Sequence, residues 1–182
     1  MISSVWSSAS ARRKRIYSIL VIFVISIIVT AVGSFVPIDP GLAKQISDEL
    51  NQTVTNATQG GTLTPYILGN NFLICLLMFV PVLGPILGMF VLFNTGMAVG
   101  AVATVQNLPP IFFLIALMIT PIFWLEFAAY STAMAESVWL FRRLLQHRGL
   151  HELRNTSIFI AICAVLLTIG AIVETALISL GG

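Results

Sequence analysis

Charged residues are scarce in this 182-residue sequence: they make up 9% of it, whereas 58% of the residues are hydrophobic. A soluble domain carries roughly 25% charged residues. A chain of this size cannot hide so much apolar surface from water, since even a 150-residue domain buries only about 70% of what it exposes when unfolded. With a mean hydropathy of +1.00, the sequence predicts one all-α integral-membrane domain over residues 1–182. We expect a multi-pass protein of the cell membrane whose solvent is the lipid bilayer.

Catalytic and metal-binding motifs are also missing. The sequence contains no G-x-S-x-G, H-E-x-x-H, phosphate loop or dinucleotide fingerprint. Cys75 and Cys163 lie in apolar runs, which favours small core residues over a disulfide. His147 and His151 have a spacing that holds metals on helices, but Gly149 between them weakens that helix. We therefore predict no enzyme, no metal and no cofactor, although an accessory role beside a membrane enzyme stays open.

Long apolar runs are what the sequence does contain. A spanning helix needs about 20 mostly apolar residues, and we predict about five spans, at 16–36, 65–81, 86–106, 111–141 and 156–180. The fourth run is longer than the roughly 30 Å hydrocarbon layer requires. Pro121 in its middle is expected to kink or break it. The second run is short, so a tilted or re-entrant segment is the alternative there. The first run is too long for a cleaved signal, and we predict that it is an uncleaved helix.

The segment 37–64 is more polar and is predicted to form an outer loop that contains a short helix. Asp39 is a good N-cap residue, and Pro40 suits the first helical position. Apolar residues recur every four positions and form one stripe: Leu42, Ile46, Leu50 and Val54. This pattern indicates an amphipathic helix on the membrane or against the other helices. Asn51 and Asn56 begin N-glycosylation sequons and are candidate modification sites.

Basic residues fall into two clusters that indicate the orientation of the chain. Arginines and lysine precede the first span and arginines follow the fourth, at Arg12, Arg13, Lys14 and Arg15 and at Arg142, Arg143, Arg148 and Arg154. The predicted outer loops hold only Lys44. The positive-inside rule then places the N-terminus inside and, with five spans, the C-terminus outside. We assign both clusters to topology and anionic lipids, and expect no nucleic-acid partner.

Acidic residues inside apolar runs are the anomaly of the sequence. Glu126 and Glu174 fall within predicted spans, where a charge costs roughly 2.5–3.5 kcal/mol on insertion scales. Glu136 lies nearer the inner end and is expected to reach toward Arg142. No basic residue lies in a predicted span, so Glu126 needs another kind of partner. The candidates are Asn70, Asn71, Asn94, Tyr130 or a second subunit, and the role of Glu126 is either structural or part of a transport path.

Small residues predict close helix packing. Gly84 and Gly88, and likewise Gly96 and Gly100, form small-x-x-x-small motifs in the third span. The segment 128–135 gives the fourth span a small-residue face. We predict that these two spans are tightly apposed, with Asn94 and Glu126 available to their interface.

The stretch 70–103, followed by 121–136, resembles the stage II sporulation protein M family. The shared features are paired asparagines, spaced glycines, an Asn-x-Gly element and a glutamate helix preceded by proline. The resemblance covers roughly 65–140 and assigns these features to Asn70, Asn71, Gly84, Gly88, Asn94, Gly96, Pro121 and Glu126. Relatives often carry His-Gly after the proline, where this chain has Ile122-Phe123, so a role for that histidine does not carry over.

The resemblance implies a function without catalysis. The sporulation member of the family is a scaffold in a membrane complex that recruits cell-wall hydrolases, and many relatives, archaeal ones included, belong to organisms that do not sporulate. We therefore expect a membrane scaffold or accessory subunit that packs against other membrane protein subunits as a homo- or hetero-oligomer. The alternative is a small transporter or channel-like protein that uses Glu126 and the intramembrane asparagines.

Overall fold

The computed structural model describes residues 10–146 and 149–181, which form α-helices and no β-strand. In chain order the helices are α1 (Ala11–Ser34), α2 (Pro40–Gln59), α3 (Leu63–Met78), α4 (Leu83–Val105), α5 (Pro110–Ile119), α6 (Pro121–Leu145) and α7 (Gly149–Gly181). The all-α prediction is confirmed. The described part of the chain does not include His147, Arg148 or the side chain of His151. The expectation that the two histidines bind no metal therefore concerns residues outside the described ones.

Within the described residues, three helices are long and apolar enough to cross a membrane alone, namely α1, α4 and α7. α5 and α6 make a fourth candidate span if they are counted together, although they are bent by 84° where they meet. α3 has 16 residues, fewer than the roughly 20 of a typical span. The structure therefore has three or four candidate spans where the sequence predicts about five.

Local chemistry explains where the helix ends differ from the predicted spans. α1 begins at Ala11 rather than near residue 16, because the Ser10 hydroxyl accepts a hydrogen bond from the Arg13 N–H (3.5 Å) and caps it. α3 ends at Met78, short of the turn that contains Pro81. α6 continues to Leu145 and α7 begins at Gly149, so most of the basic connector is helical.

α2 forms as its capping residues predict, but it packs by a different face. Asp39 Oδ1 accepts hydrogen bonds from the backbone N–H groups of Gly41 (2.9 Å) and Leu42 (3.3 Å). Gly61, with φ of +66°, follows the end of the helix. The buried residues of α2 are the small ones, Ala43, Ser47 and Ala57. Most of the apolar stripe is exposed, at Leu42, Leu50 and Val54.

A strained turn joins α3 to α4. Val82 has φ of +71° and ψ of −50°, and the Leu83 N–H donates to the Pro81 carbonyl (2.9 Å). These features define a γ-turn, a conformation that is unfavourable for a β-branched residue. The Ser137 hydroxyl donates to the Val80 carbonyl (2.6 Å) and ties the turn to α6.

The break between α5 and α6 lies at Thr120. Its backbone is extended, with ψ of 139°, as expected for a residue before proline. The Thr120 hydroxyl donates to the Leu117 carbonyl (2.7 Å) and accepts from the Phe123 N–H (3.4 Å). It thereby ends α5 and caps α6.

α6 is the central helix, and every residue from Ser131 to Ser137 is buried. The hydrophobic core around it includes Cys75, Met78, Leu92, Phe123, Phe127, Met134, Cys163 and Leu167. Both thiols approach the Ala129 carbonyl oxygen, Cys163 from α7 at 3.4 Å and Cys75 from α3 at 4.0 Å. Both cysteines are free, as the sequence predicts.

Glycines let one end of α4 approach α6. A Cβ atom at Gly84 would lie 2.8 Å from the Ser137 hydroxyl and would overlap the Met78 carbonyl, and one at Gly88 would overlap the Met134 side chain. The predicted apposition of the third and fourth spans is therefore seen here, between α4 and α6.

Glycines toward the other end of α4 contact a different helix, α1. A Cβ atom at Gly96 would overlap the Thr30 carbonyl, and one at Gly100 would lie 2.6 Å from the Ser34 carbonyl oxygen. The Thr30 hydroxyl also donates to the Leu92 carbonyl (3.2 Å). Gly96 and Gly100 thus pack on α1, not on the helix that carries Glu126.

Candidate functional site

The two anomalous acids of the sequence lie on the same helix at different depths. Glu126 and Glu136 both belong to α6, ten residues apart, which is about 15 Å along the helix axis. Different residues surround each of them. The Glu126 centre comprises Glu126, Asn70, Asn71, Tyr130 and Glu174, and the Glu136 centre comprises Glu136, Arg15, Arg143, Glu152 and Trp139.

An asparagine amide on α3 binds Glu126. The Asn71 side-chain N–H donates to Glu126 Oε1 at 2.6 Å. α3 and α6 run parallel, since Asn71 meets Glu126 near the start of α6 and Val80 meets Ser137 farther along it. Of the four partners proposed from the sequence, Asn71 is the one whose side chain forms a hydrogen bond with Glu126 among the described residues.

The remaining members of the Glu126 centre extend it toward both sides. The Asn70 side-chain N–H donates to Asn71 Oδ1 (3.3 Å), so the two amides and the carboxylate form a chain. Tyr130 is buried, one helical turn after Glu126. Glu174 of α7 lies within electrostatic range of Glu126. The described ion pairs do not include Glu126.

A guanidinium on α1 binds Glu136. The Glu136 side chain is 0% exposed, and its Oε2 lies 3.2 Å from Arg15 Nη1. The other carboxylate oxygen, Oε1, is buried and has no hydrogen-bond partner among the described residues. Desolvating a charge pair is costly, and removal of one partner leaves a buried charge without compensation. Arg15 is therefore required wherever Glu136 is ionised.

A second carboxylate extends this contact to α7. Arg15 Nη2 pairs with Glu152 Oε1, and Arg143 Nε lies 3.5 Å from Glu152 Oε2. The Glu152 side chain is buried, and that of Arg143 is partly buried. The Glu136 centre thus contains two arginines and two glutamates, and it joins α1, α6 and the first turn of α7.

Aromatic rings lie against Arg15 of the Glu136 centre and against the neighbouring Arg142. The Arg15 guanidinium lies 5.5 Å from the centre of the Trp139 ring and 5.8 Å from that of Phe159. The Arg142 guanidinium also lies 5.5 Å from the Trp139 ring centre. These distances fall within the roughly 6 Å range of cation–π attraction, so Trp139 contacts two cations.

The sequence interpretation missed most of the Glu136 centre. It assigned Arg15 to topology and directed Glu136 toward Arg142, which instead covers Trp139. Two features of the sequence could have indicated these ion pairs. Arg15 is the basic residue that directly adjoins the first apolar run, and Glu152 is the one acid in the basic connector 141–155.

Asn94 lies apart from both centres. It is exposed on α4, and its side-chain N–H donates to the Phe90 carbonyl of the same helix (2.7 Å). The sequence predicts Asn94 near Glu126, but the glycines of α4 face inward and turn Asn94 outward.

Two further predictions, on glycosylation and on metal binding, concern other parts of the chain. Asn51 and Asn56 are both exposed on α2, and their glycosylation stays a prediction. Among the described residues, no group of three or more His, Cys, Asp or Glu side chains is arranged to hold a metal ion.

The family model described as stage II sporulation protein M matches residues 19–178. This range covers most of the chain and all of α3 to α6. The chain belongs to the stage II sporulation protein M family. Neither a curated protein nor a solved structure matches it.

The two centres differ in how many of their residues lie within the segment that the stage II sporulation protein M family model matches. All five residues of the Glu126 centre lie within the matched range. In the Glu136 centre, Glu136, Arg143 and Glu152 lie within it, but Arg15 precedes it. The expected family residues Asn71 and Glu126 are thus in direct contact, whereas the cation of the second centre comes from outside the matched segment.

Proposed function

We propose that this protein is a non-enzymatic membrane scaffold or accessory subunit of a larger membrane protein complex. The observation that carries the proposal is that side chains of the same chain bind both acids of α6. Glu126 accepts from Asn71, and Glu136 pairs with Arg15. Each contact joins separate helices, which is what a rigid framework requires of a polar residue in lipid.

The proposal includes five membrane crossings, by α1, α3, α4, the α5–α6 pair and α7, with the N-terminus inside and the C-terminus outside the cell membrane. The contacts between helix ends support this topology. Arg15 near the start of α1 pairs with Glu152 near the start of α7, whereas Thr64 near the start of α3 donates to Thr175 near the end of α7 (2.9 Å). α1 and α7 therefore begin at the same end of the bundle, and α3 begins at the opposite end.

Charge distribution supports the orientation. Arginines outside the Glu136 centre lie at the same end of the bundle as that centre, at Arg12, Arg13, Arg142 and Arg154. Lys44 lies on α2, beyond the other end of α1. The positive-inside rule assigns the arginine-rich end to the inner surface. α3, at about 24 Å, is shorter than the hydrocarbon layer, and local thinning of the bilayer accommodates such a helix.

Partner contacts in this proposal use α2 rather than the glycine faces. The glycines of α4 already contact α1 and α6, so they are not available to another protein. On α2, Leu42, Leu50 and Val54 are exposed along one side. This α2 stripe lies on the proposed outer side and is the docking surface that we assign to a partner subunit.

Purification of the full-length chain from its native membrane in a mild detergent tests the scaffold proposal. We expect a complex that contains other membrane proteins in reproducible amounts. Replacement of Leu42, Leu50 and Val54 by serine should lower partner recovery several-fold and leave thermal stability unchanged, since these side chains are exposed. Replacement of the exposed residues Gln52 and Thr55 by alanine is the matched control. A chain that elutes alone at full yield would contradict the proposal.

A transporter-like role is the second candidate, and one observation favours it. Glu136 Oε1 and the Ser131 hydroxyl are both buried on α6 without a hydrogen-bond partner among the described residues. Such atoms are suitable contacts for a proton or a water molecule. Reconstitution into liposomes with a pH-sensitive dye decides between the candidates. A proton flux that the Glu136→Gln substitution abolishes would favour the transporter-like role. A flux equal to that of empty liposomes would favour the scaffold role.

A further inference from the structure

Asn94 is a polar residue on the outward face of a membrane helix. It is exposed at the midpoint of α4, which runs from Leu83 to Val105 and is among the helices able to cross a membrane alone. One N–H of its amide donates to the Phe90 carbonyl. The other N–H and Oδ1 form no hydrogen bond among the described residues. Lipid tails offer no partner to either group.

The surface next to Asn94 is apolar and protruding. Phe90 and Ile86 lie one and two turns before it on the same face, and their side chains are 65% and 64% exposed. We name Ile86, Phe90 and Asn94 the Asn94 stripe. The opposite side of α4 carries the glycines that contact α1 and α6. The stripe is therefore free of the rest of the described chain.

We infer that the Asn94 stripe is the interface between two copies of this chain in the membrane. The amide of Asn94 has one donor and one acceptor left, so it is complementary to itself. About a two-fold axis at Asn94, each amide donates to the Oδ1 of the other copy, and both outward groups are satisfied. A two-fold arrangement is the commonest among homo-oligomers.

The chemistry of the stripe favours a second copy over lipid or an unrelated helix. Lipid would leave the amide unpaired, and another protein would need its own donor and acceptor at the same depth. A second copy carries both at that depth by symmetry, and the bulky Ile86 and Phe90 then pack across the same axis. The pairing does not depend on the proposed function, since two copies would associate with or without other subunits.

Cysteine crosslinking in the native membrane tests the interface. The full-length chain with Phe90→Cys is oxidised with copper phenanthroline, and the two native cysteines are buried. Val165→Cys is the matched control, because Val165 is 59% exposed at the middle of α7. We expect several-fold more covalent dimer for Phe90→Cys than for the control. Equal yields, or adducts with other proteins alone, would overturn the inference.

Substitution of Asn94 in the Phe90→Cys background tests the role of the amide. Asn94→Leu removes two interhelical hydrogen bonds per dimer and should weaken pairing about five- to tenfold. Asn94→Gln keeps the donor and acceptor and should retain much of the pairing. Thermal stability of the monomer in detergent should not change with Asn94→Leu. Unchanged crosslinking with Asn94→Leu, or a destabilised monomer, would show that Asn94 does not act between copies.

Discussion

The Glu126 centre and the Glu136 centre place the same type of residue on the same helix, but they stabilise it by different chemistry. Glu126 is largely buried and accepts from one neutral amide, that of Asn71. Glu136 is fully buried and pairs with the guanidinium of Arg15, which Glu152 shares. The Asn71 amide satisfies one carboxyl oxygen without supplying a charge, whereas the Arg15 guanidinium supplies the opposite charge that a buried ionised carboxylate requires.

The two centres also connect different parts of the chain. The Asn71–Glu126 bond joins α3 to α6, within the region that the family match covers. The Arg15–Glu136 contact joins α1 to α6, and the shared Glu152 adds α7, so the Glu136 centre connects the first and last described helices. We therefore expect the Glu136 centre to contribute more to the stability of the fold.

The largest effect is expected for Arg15→Met. This change leaves Glu136 buried without a cation and should lower the free energy of unfolding by about 3–5 kcal/mol. The measurement is unfolding of the purified protein in mixed detergent micelles. Arg12→Met removes an exposed arginine from the same helix and should have little effect. Equal losses for the two variants would show that Arg15 acts only as a topology charge.

A smaller effect, toward the opposite end of α1 from the Glu136 centre, is expected for Gly96→Ala. The new Cβ atom overlaps the Thr30 carbonyl, so α1 must move away from α4. Overpacking of this kind should cost about 2–3 kcal/mol. Gly69→Ala is the matched control, because a Cβ atom at Gly69 meets nothing within 4 Å. The comparison would fail if both variants were equally stable.

The corresponding change in the Glu126 centre is Asn71→Leu, for which we expect a smaller loss than for Arg15→Met. It removes the hydrogen bond to Glu126 and should cost about 1.5 kcal/mol in the same unfolding measurement. Asn70→Leu tests the outer member of the amide chain and should cost less, since Asn70 is exposed and does not touch the carboxylate. A loss above that of Arg15→Met would reverse the ranking of the two centres.

The smallest effect is expected for Glu126→Gln. The amide oxygen of glutamine still accepts from Asn71, so the free energy of unfolding should change by less than about 1 kcal/mol. Glu136→Gln should be more harmful, because it breaks an ion pair and leaves Arg15 with Glu152 alone. If the two substitutions had the same effect, the distinction between an amide partner and a guanidinium partner would be wrong.

Much of the local structure could be predicted from the sequence. Asp39 and Pro40 indicated the start of α2, and Pro121 indicated the break before α6, because capping and proline geometry depend on neighbouring residues alone. Asn71 was among the proposed partners of Glu126, since a carboxylate without a cation needs a donor. These inferences depend on residue types and short spacings.

The contacts between distant residues could not be predicted in the same way. Arg15 and Glu136 are 121 residues apart, and either could equally have been an exposed charge at the end of a helix. α4 is apolar on nearly all sides, so hydrophobic periodicity did not indicate that Asn94 faces outward. The stripe of α2 was recognised, but small residues on another side of the helix allowed closer packing and left the stripe exposed.

The central claim is that Glu136 depends on Arg15 as an ion pair while Glu126 depends on Asn71 as a hydrogen-bond donor. Two double-mutant cycles in the same purified protein test it most directly, one with Arg15→Met and Glu136→Gln and the other with Asn71→Leu and Glu126→Gln. We predict a coupling energy of about 2 kcal/mol or more for the first pair and about 1 kcal/mol or less for the second. Equal coupling energies, or none for Arg15 and Glu136, would contradict the claim.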